Sequence, residues 1–143
     1  MATVMATTGL QYFAALAVNK DTPENLVIKL GKNDLTPDAD SVAGDFTEAT
    51  FTGYAELVTD PADWTVTVTD VAGVDRAVAT HPAVEFVSTA SAQDEAIYTS
   101  YIVTETSNIL IASDRFTAPQ IARHIVNTGD KKVATATISF IPA

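Results

Sequence analysis

The chain has 143 residues, no cysteine and a formal net charge of −10. The length favours one domain and suffices to bury roughly 70% of the surface that the unfolded chain exposes. The missing cysteines exclude a disulfide scaffold, a thiol nucleophile and a cysteine metal site. The acidic balance argues against direct nucleic-acid binding, which requires phosphate neutralisation. Hydrophobic residues make up 47%, which argues against a disordered chain.

Residues 1–8 are small and polar and read as a mobile arm. In Gly9 to Val18, Leu10, Phe13, Ala14 and Ala17 recur at helical spacing, so a short helix is expected. Asp21-Thr22-Pro23 ends it. An N-terminal arm and helix over 1–20 and one β-domain over 21–143 follow. The N-terminus lacks the basic start of a standard signal peptide. The longest apolar run, Phe13 to Val18, is too short to cross a bilayer.

β signals dominate from there. Leu26 to Leu30 is a compact apolar run, followed by turn chemistry at Gly31 to Asp34 and Thr36-Pro37-Asp38. Trp64 to Thr69 alternates cleanly, which predicts Trp64, Val66 and Val68 in the core and the threonines outside. Val84 to Val87 and the long run Ala96 to Thr104 are further strands. Ile109 to Ala112 forms a hairpin with the latter across Glu105-Thr106-Ser107-Asn108. Ile121 to Val126 and Val133 to Ile141 flank Asn127 to Asp130 and predict a second hairpin. In the last strand Ala134, Ala136, Ile138 and Phe140 share one face. Tyr101 or Ile102 is also expected inside. Seven or eight strands with turn signals between them imply an all-β fold, an antiparallel β-sandwich or jelly-roll-like barrel.

Charge is unevenly distributed. Residues 21–75 carry twelve acids and two bases; residues 76–143 carry six acids and five bases. Asp34, Asp38, Asp40 and Asp45 fall in one loop, which reads as a solvated face, a docking surface for a basic partner, or a loop of calcium-type oxygen ligands without EF-hand spacing. Arg115, Arg123, Lys131 and Lys132 hold half of the bases and suit an acidic neighbour, including the acidic segment of a second copy. These eight residues are the candidate partner contacts. The histidines, His81 and His124, lack zinc spacing. There is no nucleophile elbow and no phosphate loop. No catalytic centre, cofactor or metal site is expected. A hydrolase would need a pocket joining a histidine to a serine and an acid. Phe46, Phe51 and Tyr54 cluster after the acidic loop, where core packing competes with a sugar-stacking role.

One segment carries a resemblance. Leu26-x-Ile28-x-Leu30, Asn33-x-x-Thr36-Pro37 and Phe46-Thr47-Glu48-Ala49-Thr50-Phe51-x-Gly53-Tyr54 resemble a stretch of small structural proteins of tailed bacteriophages. Gly9 to Phe13, Trp64 and Ser113-Asp114-Arg115-Phe116 fit the same layout. The dense similarity covers Glu24 to Leu57. It implies a virion protein made in the host cytoplasm and placed on the capsid surface: a head decoration or cement protein, homotrimeric, whose partners are the major capsid protein and itself, with neither nucleic acid nor membrane. A glycan- or receptor-binding β-module on a tail or fibre is the alternative.

Overall fold

A strand with apolar side chains on both faces must be covered twice, and that requirement organises the chain. The computed structural model describes residues 3–116 and 123–140. In chain order its strands and helix are β1 (Thr3–Met5), α1 (Thr7–Ala17), β2 (Leu26–Gly31), β3 (Leu57–Val58), β4 (Thr65–Val71), β5 (Val74–Thr80), β6 (Val84–Val87), β7 (Glu95–Ile97), β8 (Thr99–Thr104), β9 (Leu110–Arg115), β10 (Arg123–Ile125), β11 (Lys131–Ala134) and β12 (Thr137–Phe140). One layer is the antiparallel sheet β1-β9-β8-β2-β3. The other is assembled from β12-β5-β4, β11-β6 and β10-β7. This is the expected antiparallel sandwich with a short N-terminal helix.

The main core lies between the layers. Ile28, Leu30, Ile102 and Ile111 enter it from the large sheet, and Phe86, Ile97, Ile125, Ala134 and Ile138 from the opposite strands. Every residue of β8 is buried, so its odd-numbered side chains need a second cover. Val27, Tyr101, Val103 and Leu110 meet Leu35, Ala43 and Phe46 there. The acidic loop after β2 supplies those three covering side chains. Tyr101 and Ile102 are therefore both core residues, one on each face. A bulge in β9 opposite Ile102 and Val103 lets Ile111 and Ala112 both face the main core.

Several expectations change. Thr3–Met5 is not an arm: it pairs antiparallel with β9, Thr3 opposite Asp114. The helix starts at Thr7, its first N–H taken by the Ala39 carbonyl at 2.8 Å. The run Ala96 to Thr104 is two strands, because the chain leaves β10 and joins β2 at Tyr98. The last run likewise breaks at Thr135 and Ala136, with β11 on β6 and β12 on β5. Its inner face is as expected, since Ala134, Ala136 and Ile138 are buried and Phe140 packs against the core. The hairpin across Glu105 to Asn108 forms. The second hairpin does not: β10 and β11 pair with β7 and β6 instead of each other. Part of the run Ile121 to Val126, and Ile141, fall outside the described residues. Val66 and Val68 are not core residues; they are 71% and 72% exposed.

Helix α1 is seated by close approach to β9. A Cβ on Gly9 would lie 2.6 Å from the Ile111 carbonyl oxygen, against backbone that cannot yield cheaply. Gly9→Ala should therefore cost about 1–3 kcal/mol in urea unfolding. Gly44→Ala, with nothing within 4 Å of its added carbon, should stay within about 0.5 kcal/mol of the parent.

Candidate docking surface

The acidic loop is held in place by its own charged and polar groups. Asn33 donates to the Asp45 carbonyl and accepts from the Thr47 N–H, both at 2.8 Å, closing the loop at its neck. Arg115 reaches from the end of β9 to the Asp34 carboxylate at 2.5 Å and the Leu35 carbonyl at 2.6 Å. Asp38 accepts from the Asp40 N–H and the Ser41 hydroxyl. Asp45 accepts from the Val42 N–H at 2.9 Å. Beneath them Phe46 stacks on Tyr101, ring centroids 4.4 Å apart and planes 18° from parallel. Asp34, Asp38, Asp40 and Asp45 are exposed, while Leu35, Pro37, Ser41 and Phe46 turn inward. Three of the four acids fasten the loop through their side chains; the Asp40 carboxylate makes no such bond among the described residues. They point to different partners, and no group of three or more His, Asp or Glu able to hold a metal occurs among the described residues.

The basic candidates divide the same way. Arg115 is engaged with Asp34 of its own chain and lies 5.6 Å from the Tyr98 ring centroid. Lys131 pairs with Glu85 at 2.7 Å. Lys132 lies 3.5 Å over the Phe116 ring. Arg123 opens β10, and its side chain falls outside the description. An acid–base contact between the two halves of the chain thus exists within one molecule, at Asp34 and Arg115.

The neighbouring corner is equally tied. Lys29 sits between Glu56 at 2.7 Å and Glu48 at 3.2 Å. Burial pulls its ammonium down, but the two carboxylates outweigh it and leave it above the usual lysine range. Glu48 also accepts from the Tyr54 hydroxyl, whose ionisation burial pushes far up; burial does the same to Tyr101. Glu95 fastens the next turn by accepting from the Thr50 and Phe51 N–H groups. Glu24 grips the β8–β9 turn through the Ser107 hydroxyl and the Ser107 and Thr106 N–H groups, which hold its carboxyl below the usual range.

The remaining candidates do not assemble a reacting centre. His81 is buried, its Nδ1 2.8 Å from the Pro82 carbonyl and its ring edge-on to Trp64. His124 is on the surface, 2.8 Å from Asp94. Phe46 and Phe51 are buried, and Tyr54 is half-buried with its ring set against Phe51 and Phe86, so the three pack into the core. A cleft of about 460 Å³ beside α1 carries one carboxylate, Asp21. A second, of about 290 Å³ and walled by Pro23, Pro61 and Trp64, carries Glu24. Comparison with known proteins finds no family model, curated protein or solved structure that matches this chain.

What sequence reasoning misses is the β4–β5 ribbon. Its two-residue turn places Ala72 and Gly73 at φ of 55° and 80°, a tight hairpin that prolongs both strands beyond their neighbours. All seven residues of β4 are exposed. The signal available in the sequence is an uncharged Thr-Val alternation over Thr65 to Thr69, followed by Asp70-Val71 and the Ala72-Gly73 turn.

Asp114 carries a buried cost. Its Oδ1 has no hydrogen-bond partner among the described residues, and burial pushes the carboxyl above its usual range. A group raised by folding favours the folded state at low pH, and that contribution is lost as pH rises through the raised value. Asp114→Asn should therefore raise the melting temperature at neutral pH. The gain should vanish near about pH 3, where the parent carboxyl is protonated in both states.

Proposed function

We propose that this chain is a non-catalytic docking protein that decorates a phage capsid and bridges neighbouring coat subunits. The reading combines the resemblance of Glu24 to Leu57 with one structural observation. The loop inside that segment is a preorganised acidic surface, fastened from within and backed by the Phe46–Tyr101 stack. A surface already held in shape loses little conformational freedom on binding. Its charge suits a basic patch on a coat lattice, and contacts of that kind steer association and weaken with added salt. A protein that binds only the assembled shell stabilises it by mass action.

Asp38 and Asp45 are poor choices for testing this surface, because each holds the loop together. Asp40 uses its backbone N–H and not its carboxylate. Asp40→Lys should leave the melting temperature unchanged and weaken capsid binding about tenfold at low salt, the equivalent of roughly 1.4 kcal/mol. The decisive comparison is heat survival of particles with and without the protein. Greater survival of decorated particles, reduced by Asp40→Lys, supports the reading. Equal survival, or attachment to tails rather than heads, overturns it.

A further inference from the structure

The ribbon holds an apolar face that belongs geometrically to the core yet has nothing opposite it among the described residues. Cross-strand register places Val66, Ala79 and Ile138 in one row and Val68, Ala77 and Phe140 in the next. Residues aligned in this way share a face of the sheet. Ile138 is buried and Phe140 and Ala79 pack against the main core, so this is the inward face. The alternation therefore put Val66 and Val68 on the correct side, and the opposite layer does not extend far enough to cover them. Val71 and Val74 at the tip are also exposed.

The same strand is an edge, and over Thr65 to Thr69 it is unguarded. β4 lies outermost in its sheet, so every second residue turns its N–H and C=O away from β5. Natural edges of this length carry a lysine, a proline, an inward charge or a bulge against unwanted pairing. From Thr65 to Thr69 there is none, and the one charge of β4, Asp70, stands beyond that segment toward the hairpin tip, on the face of Val66 and Val68. The outer strands of the large sheet are shorter: β1 has three residues and β3 two.

We infer that two copies of this chain pair antiparallel through β4, about a twofold axis at Thr67. The occupant follows from the strand's own sequence. Thr65-Val66-Thr67-Val68-Thr69 reads the same in both directions. An isologous contact needs a surface that complements itself, and this register provides one. It sets Val66 opposite the partner's Val68, Thr65 opposite the partner's Thr69, and Thr67 opposite its own copy. Four valines then close over one another on the uncovered face. No charge lies inside the paired segment, and Asp70 falls opposite Trp64 rather than another acid. The pairing joins two layers into one continuous sheet, covers the open edge and buries the flanks of the four valines against one another. It is independent of any role on a capsid. It also differs from the head-to-tail contact that charge asymmetry along the chain suggests.

Asp63, Asp70 and Asp75 flank the paired segment in each copy, against one base, Arg76 opposite Thr69. Their repulsion is screened by salt, so added salt should strengthen this association, opposite to its effect on an acid–base contact. Sedimentation of the full chain should show a dimer whose fraction grows with sodium chloride. Val66→Lys with Val68→Lys should give a folded monomer whose melting temperature no longer depends on protein concentration, because neither side chain is buried in the single copy. The chain lacks cysteine, so an introduced one reports the register alone. Opposed Cα atoms in an antiparallel ladder are about 4.5–5.5 Å apart, within disulfide reach. Thr67→Cys should give covalent dimer under a mild copper oxidant, at least tenfold faster than Thr69→Cys, whose copies stand far apart in this register. A monomer at every salt and protein concentration overturns the proposal. So does an oligomer that survives the double lysine variant, or equal cross-linking at positions 67 and 69.

Discussion

Burial of β8 on both faces is the constraint on which the rest of the structure depends. Its six residues place Ile102 in one apolar cluster and Tyr101 and Val103 in another. A sheet with one wet face would need a single partner layer; this one needs two. The large cover is the second layer of strands. The small one is the loop after β2, which lays Leu35, Ala43 and Phe46 over Tyr101, Val103, Val27 and Leu110. A loop pressed onto a sheet must satisfy its own backbone groups. That need explains why Asn33, Asp38 and Asp45 bond to nearby main-chain groups rather than reaching into solvent.

The double cover also shapes how the two layers are joined. The chain changes sheet inside two apolar runs, at Tyr98 and at Thr135–Ala136. Sandwich corners are commonly made by strands that bend from one sheet to the other. Here the bend at Tyr98 lets a single run feed both layers, so that Ile97 and Ile102 meet in one core although they lie on differently paired strands, while the bend at Thr135–Ala136 passes between two sheets of the second layer. The same device leaves the second layer as short pieces. Only β4 and β5 grow long, because a tight turn joins them directly, and they outrun the core.

An acidic protein of this build can present two separate surfaces. One is polar, rigid and charged at the loop; the other is apolar and extended at the ribbon. Under the two proposals, docking at the first would weaken with salt and pairing at the second would strengthen, because the first attracts unlike charge and the second must bring like charge together. That difference would distinguish the two contacts on the same molecule.

Local pattern determined a great deal. Alternation identified the inner face of the last run, Ala134, Ala136 and Ile138, since period-two spacing and burial are tied by the pleat itself. Turn residues identified the β8–β9 hairpin, and helical spacing found most of α1. Zero cysteine and dispersed glycine settled which chemistries lack their residues. The tertiary structure alone decided which strands pair, since Asn127 to Asp130 reads as a hairpin turn yet β10 and β11 take other partners. It alone showed that Asp34 meets Arg115, residues far apart in the chain. The alternation of Val66 and Val68 named their side of the sheet but not their burial. Which face a side chain takes follows from the strand it stands on; whether that face is covered depends on how far the opposite layer extends, which no local pattern encodes.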